Sequence, residues 1–257
     1  MMEIVPLGDS AVIVRMRERF DDAPEETLDT VLRAFQQLQN AAIPGVIEVA
    51  PAYTSVTVFF DPISVVKGTV APGQVFDWLA TRIRAAVAAG ADRGRHRTTT
   101  QRRVRLVEIP VCYDREFALD IDDVARRAAI SPDEVVRFHS AAEYRVACIG
   151  FVPGFPFLAG LPKELATPRR DVPRKQIPPG SVGIGGAQTG IYPLRSPGGW
   201  NLIGRTPLKL FDPTKDPPAF LRAGDRVRFR AITREDFEAS IHEALSSRAK
   251  RGTSYSK

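Results

Sequence analysis

The residues with the most chemical capacity crowd into one part of this chain. Pro168-Arg169-Arg170 and Pro173-Arg174-Lys175 set cations on proline-stiffened backbone. A guanidinium fork ordered in advance loses little entropy on meeting a carboxylate or phosphate. A solvated basic loop is the competing reading. Gly183-Ile184-Gly185-Gly186-Ala187-Gln188-Thr189-Gly190 invites a nucleotide interpretation that its spacing rejects. A P-loop needs Lys and then Ser or Thr after Gly190, where Ile191 and Tyr192 stand; a dinucleotide fingerprint from Gly183 needs glycine where Gln188 stands. What remains is a backbone able to approach another surface, with Gln188 and Thr189 at hand, or else a glycine bend in a barrel strand. Gly150-Phe151-Val152-Pro153-Gly154-Phe155-Pro156-Phe157-Leu158 is too stiff and aromatic for an ordinary loop. Either its phenylalanines pin it to the core, or it walls a concave site or an interface. His139, beside Phe138 and near Tyr144, suits a packed histidine as well as a proton carrier. There is no G-x-S-x-G nucleophile elbow, and Cys112 and Cys148 have neither zinc spacing nor an activating neighbour. With 3 histidines and no H-E-x-x-H, no dedicated metal site is expected.

The elements that must position these groups fall into two parts. In the first, the segment Val5 to Met16 is split by Gly8-Asp9-Ser10 and reads as two short strands. Pro24-Glu25-Glu26 opens a helix whose apolar face is Leu28, Val31, Leu32, Phe35 and Leu38. The segment from Val46 to Phe60, interrupted by Pro51, predicts two more strands. A second helix follows Pro72-Gly73, buries Val75, Trp78, Leu79, Ile83 and Val87, and is predicted to stop at Gly90. Two strands and a helix, twice over, suit helices packed on one face of an antiparallel sheet.

The second part differs. A strand is predicted over Val104 to Val111 and a helix over Ile121 to Ala129. Ser131-Pro132-Asp133-Glu134 is a capping box opening another helix, and Tyr144 to Ile149 is a strand candidate. From Gly150 to Pro213, 11 Gly and 11 Pro are interleaved with aromatics, which indicates short strands joined by tight turns in a barrel or sandwich. Leu208 to Phe211 and Arg226 to Phe229 read as closing strands, and Thr233 to Leu245 as a last helix. The expected division is a domain at 1–92, a basic linker at 93–103, a barrel domain at 104–247 and a disordered tail at 248–257.

Composition bounds the function. A chain of 257 residues, 44% hydrophobic and 26% charged, can build a substantial core. No apolar run reaches the ~18 residues of a membrane span, and Met1 to Pro6 has no signal-peptide pattern. A cytoplasmic chain with no membrane partner is expected. The net charge of +6 has a local source: Arg93, Arg95, Arg97, Arg102, Arg103 and Arg105. Without these six, the 36 basic residues fall to 30, against 30 acidic. The excess therefore reads as a solvated linker, and nucleic-acid binding is not expected.

These motifs together resemble the bacterial KipI family, also called allophanate hydrolase subunit 1 or the B component of 5-oxoprolinase. The resemblance rests on Leu7-Gly8-Asp9-Ser10-Ala11, His139-Ser140 with Tyr144, and Gly150-Phe151-x-Pro153-Gly154-Phe155. It rests further on Pro168-Arg169, Pro173-Arg174, Pro179-Gly180-Ser181-Val182 and Gln188-Thr189-Gly190-Ile191-Tyr192-Pro193. Ser196-Pro197-Gly198-Gly199-Trp200 and Gly204-Arg205-Thr206 complete it. The sequence departs from the family at Arg115, where proline is usual, and at Ala118, where glycine is usual. The resemblance implies an α+β N-terminal domain followed by a mainly-β, cyclophilin-like barrel domain.

It also implies a KipA-type homologous partner and a LamB/YcsF-type subunit. Together these would form an ATP-dependent 5-oxoprolinase that opens the lactam of its small-molecule substrate, 5-oxoproline, to L-glutamate. It does not assign ATP to a particular subunit. One family member inhibits a sporulation sensor histidine kinase, and related domains serve urea carboxylase, so a kinase regulator and a urea- or allophanate-type subunit are the alternatives. The family motifs mark the candidate site. Arg169 and Arg174 are read as anion contacts, Gln188 as a group orienting an amide, and His139 as a proton carrier or a prop for the aromatic loop. Phe151, Pro153, Gly154, Phe155, Thr189, Gly190, Tyr192, Gly198, Gly199 and Trp200 are read as substrate-binding.

Overall fold

The computed structural model describes residues 2–19, 24–67, 70–96 and 105–252. The chain divides into two compact units, Met1–Val104 and Arg105–Lys257. The first contains β1 (Glu3–Pro6), β2 (Ala11–Arg15), α1 (Pro24–Asn40), β3 (Val46–Pro51), β4 (Ser55–Phe60), α2 (Pro62–Lys67) and α3 (Val75–His96). Its four strands form one antiparallel sheet in the order β1-β2-β4-β3. Alternate residues of β2 and β4 point inward, so Val12, Val14, Val56 and Val58 share a core with Val31 and Leu38 of α1 and Leu79 and Ile83 of α3.

Two details differ from the sequence expectation. The short helix α2 starts on Pro62, and Asp61 caps it by accepting the Ile63 N–H at 3.0 Å. The helix α3 passes through Gly90 and runs to His96. One interior glycine costs about 1 kcal/mol against alanine, too little to end a helix in the alanine-rich run around it. Of the expected linker, 93–96 is therefore helical, and 97–103 lies outside the described residues.

The second unit contains β5 (Leu106–Cys112), α4 (Ile121–Ala128), α5 (Pro132–Ala141), β6 (Glu143–Ile149), β7 (Pro156–Ala159), β8 (Arg174–Ile177), β9 (Ser181–Gly185), β10 (Gln188–Ile191), β11 (Ser196–Gly198), β12 (Asn201–Arg205), β13 (Arg226–Ile232) and α6 (Arg234–Gly252). Seven strands close into a barrel in the order β10-β7-β6-β13-β5-β12-β9, with β9 paired back to β10. The β5–β13 pair is parallel and the remaining barrel pairs are antiparallel. The interior is filled by Ile109, Val111, Val146, Leu158, Val182, Ile184, Ile191, Ile203 and Val227, with Val124 of α4 and Val135 of α5 closing over it.

The capping box forms as its sequence predicts: Glu134 N–H donates to Ser131 Oγ at 3.2 Å, and Ser131 N–H to Glu134 Oε2 at 2.9 Å. Leu208 to Phe211 is not a barrel strand. It is a loop with one isolated bridge, Phe211 to Ala219, and its hydrophobicity reflects Leu210, buried against the barrel core. The helix α6 continues to Gly252, past the expected end at Leu245 and into part of the expected tail; 253–257 lies outside the described residues.

Candidate anion-binding site

Beside the barrel, β8 and β11 form a separate two-stranded sheet with Gly198 opposite Arg174. The loop before β8 carries the arginines. It is tied down where Arg170 N–H donates to the Gly199 carbonyl at 2.7 Å and where Asn201 Nδ2 donates to the Pro168 carbonyl at 2.8 Å. Under it lies an aromatic cluster. Phe155 is almost fully buried, with its ring centroid 5.1 Å from that of Tyr192, 5.4 Å from Trp200 and 4.8 Å from Phe157. The Tyr192 and Trp200 contacts are edge-to-face and the Phe157 contact is tilted; such ring pairs add about 0.5–1.5 kcal/mol each beyond area burial.

The glycines of the motifs make this packing possible. A Cβ on Gly185 would stand 2.5 Å from Trp200 Nε1, and one on Gly198 would stand 2.4 Å from the Tyr192 hydroxyl. The glycine-rich stretch from Gly183 to Gly190 is therefore the β9–β10 hairpin of the barrel. Among the described residues it makes no phosphate-cradling loop.

The cations have different fates. Arg169 is exposed, and its guanidinium lies 6.0 Å from the Trp200 ring centroid. Arg174 is committed: its Nη1 and Nη2 donate to the two carboxylate oxygens of Asp120, both at 2.8 Å. The expected free fork is thus occupied, because a buried carboxylate sits within its reach. Arg170 Nη1 donates to the same carboxylate at 2.6 Å. Asp120 escaped the sequence reading, and Arg170, grouped there with the proline-flanked cations, was not singled out as a site residue. Asp120 precedes α4 and passes for a helix N-cap, yet its side chain makes no cap hydrogen bond.

Tyr192 lies almost fully buried beside this constellation. Burial pushes the pKa of its hydroxyl up, while the Trp200 backbone N–H and the charges of Arg169 and Arg174 pull the other way. Over Arg169, Arg170, Asp171, Arg174, Lys175 and Asp120, four cations against two carboxylates leave a net charge of +2. The exposed cations of this arrangement can hold a small anion. Phe155, Tyr192 and Trp200 are buried beneath them, which corrects their reading as groups that touch a substrate. Phe151 and Pro153 are exposed on the neighbouring loop, whose Gly154 is buried against Phe211.

His139 and Thr189 lie apart from that mouth. Both are fully buried in the barrel unit. The Thr189 hydroxyl donates to the Gly183 carbonyl at 3.0 Å, so it must accept from His139 Nε2, also at 3.0 Å. Nδ1 is then the bare nitrogen and accepts the Tyr113 hydroxyl at 2.8 Å. The imidazole also stacks on Phe229, with centroids 4.4 Å apart. Burial drives its pKa down to about 3. A neutral histidine with both nitrogens engaged and no open face is a structural link, which corrects its reading as a proton carrier. Thr189 is corrected with it, because its hydroxyl is spent inside the barrel. Gly190 serves packing: a Cβ there would meet the Pro156 carbonyl at 2.8 Å. Gln188 is half-buried at the start of β10.

The fold defines a two-unit protein whose second unit is a closed seven-stranded barrel. The carboxyltransferase domain family, subdomains C and D, matches residues 2–221, and the chain belongs to that family. It is 43% identical over 246 residues to the B component of 5-oxoprolinase from Bacillus subtilis (strain 168), covering 94% of this chain and 98% of the relative. Among solved structures, TTHA0988 aligns with a TM-score of 0.68 at 35% identity, covering 86% of this chain and 39% of that one. This chain therefore spans about two fifths of that protein. The urea amidolyase of Kluyveromyces lactis aligns with a TM-score of 0.71 at 21% identity, covering 94% of this chain and 15% of that one, a likeness of fold. No helix among the described residues is long and apolar enough to cross a membrane.

Proposed function

We propose that this chain is the B component of an ATP-dependent 5-oxoprolinase, opening the lactam of 5-oxoproline to L-glutamate together with partner subunits. The observation that carries the reading is 43% identity to a 5-oxoprolinase B component across nearly the whole of both chains. The site chemistry supports it. The substrate is a five-membered lactam bearing one carboxylate, and its product bears two. Arg169 offers an exposed cation for the carboxylate, held over the buried Phe155–Tyr192–Trp200 cluster that supports the loop from beneath. A local net charge of +2 also suits the second carboxylate that the product gains.

The glycine-rich segment packs as a barrel hairpin, so ATP is assigned to no residue of this chain and no step is routed through it. The constellation has cations and donors, with no activated nucleophile among them. A shared site follows, completed by a KipA-type homologous subunit and a LamB/YcsF-type subunit. We take the second unit to be a cyclophilin-like barrel.

The test is to purify the chain alone and with both partners, confirm assembly by gel filtration, and measure glutamate formation and 5-oxoproline-dependent ATP hydrolysis. Turnover is expected only from the assembled subunits. Full turnover by the isolated chain would overturn the shared site. An assembled complex that ignores 5-oxoproline would overturn the substrate.

A further inference from the structure

Asp120, outside the motifs quoted above, gathers four hydrogen bonds on its carboxylate. Only 2% of it is exposed. Its carboxylate accepts the two Nη donors of Arg174, one from Arg170, and the Leu202 backbone N–H at 2.7 Å. Its own backbone N–H donates to the Leu202 carbonyl at 2.9 Å. The backbone bond, together with the Leu202 N–H on the carboxylate, fastens the start of α4 to β12. The other three side-chain contacts go to the segment that follows Arg169. Three guanidinium groups within six residues repel one another, and a buried carboxylate between two of them is what lets them lie together. Arg169 is the one left without a carboxylate partner among the described residues, over Trp200.

We infer that Asp120 is the positioning residue of the anion site: by clamping Arg170 and Arg174 it fixes the loop so that Arg169, over Trp200, faces one small carboxylate or phosphate. The inference rests on the reading of that mouth as an anion site. Asp120 acts through the arginines and does not touch the ligand itself. A staple that merely held the fold would affect stability independently of Arg169, whereas a positioning residue loses its effect once Arg169 is gone.

Two readouts test this. The first needs no ligand and no turnover. The chain has 2 tryptophans, so Trp78→Phe leaves Trp200 as the sole emitter in the full-length protein. Asp120→Asn should shift Trp200 emission as Arg169→Ala does, and the two together should shift it no further. Additive shifts, or no shift with Asp120→Asn, would overturn the inference. The second readout uses the assembled complex. Asp120→Asn should raise KM for 5-oxoproline roughly tenfold with kcat within about twofold, the signature of lost ground-state binding. Asp120→Glu should fall between it and the wild type, and Arg169→Ala should abolish the difference. Should Asp120→Asn fail to fold, Arg174→Lys carries both readouts, since it keeps the charge and loses the two-point contact. Unchanged emission and KM in that variant would sink the idea. If the complex never turns over 5-oxoproline, the proposed function fails, and the emission readout still decides the role of Asp120.

Discussion

His139 Nε2 lies 3.0 Å from the hydroxyl of Thr189, joining α5 to β10 across the barrel interior. Tyr113 on one side and the Gly183 carbonyl on the other complete a chain in which every donor has an acceptor. A filled polar chain in a barrel core fixes register and orientation, because breaking any member leaves another buried and unpaired.

That link makes stability depend on pH in one direction. Burial sets the folded-state pKa of His139 at about 3, below its ordinary 6.5. The unfolded chain therefore takes up this proton first as pH falls. The contribution is complete above pH 6.5 and is lost progressively between 6.5 and 3. By pH 5 the loss is about 2 kcal/mol. Denaturant melts of wild type and His139→Gln across pH 4–8 should show a slope that the variant lacks. Parallel curves would refute the buried neutral imidazole.

Arg169 and Arg174 are expected to separate function from stability. Arg169→Ala removes an exposed cation, so kcat/KM of the complex should fall by about 2–3 kcal/mol, with the melting temperature unchanged. Arg174→Ala strands part of a buried carboxylate, so it should lower both activity and stability, the latter by roughly 1–3 kcal/mol. Thermal melts paired with turnover check this; equal stability losses in the two variants would contradict the assignment.

Gly198→Ala drives a methyl group into the Tyr192 hydroxyl, at 2.4 Å, and Ile177 Cδ1, at 2.8 Å. Overpacking of this kind costs about 1–3 kcal/mol. Tyr192→Phe in the same chain should recover part of that stability by removing the clashing oxygen. The measurement is a double-mutant cycle on melting; strictly additive losses would mean the glycine matters for another reason.

Limited proteolysis is expected to cut within 97–103 before it cuts anywhere in 151–200. The first segment joins two compact units. The second is held by barrel pairing and the aromatic cluster. Mass spectrometry of the first fragments decides it, and early cleavage inside 151–200 would overturn the boundary.

Features set by near neighbours could be read from the sequence alone. The Ser131 capping box, the apolar face of α1 and the hairpin at Gly8-Asp9-Ser10 depend on residues a few positions apart, where propensity and periodicity act directly. The barrel could be inferred for the same reason, since aromatics between glycine and proline turns leave room only for short strands. The aromatic site residues were legible as a group because their rings needed a place to pack. Other features were settled by contacts between distant parts of the chain. The parallel pairing of β5 with β13 joins opposite ends of the second unit. The partners of Asp120 lie 50, 54 and 82 residues away, so nothing near it in sequence announces its role, and Arg174 looked free. His139 likewise finds Thr189 50 residues on, and that contact turns a candidate proton carrier into a neutral strut. Residue type and spacing fixed which groups this protein possesses; the long-range closure of the barrel decided which of them face solvent, because burial and pairing belong to the folded chain as a whole.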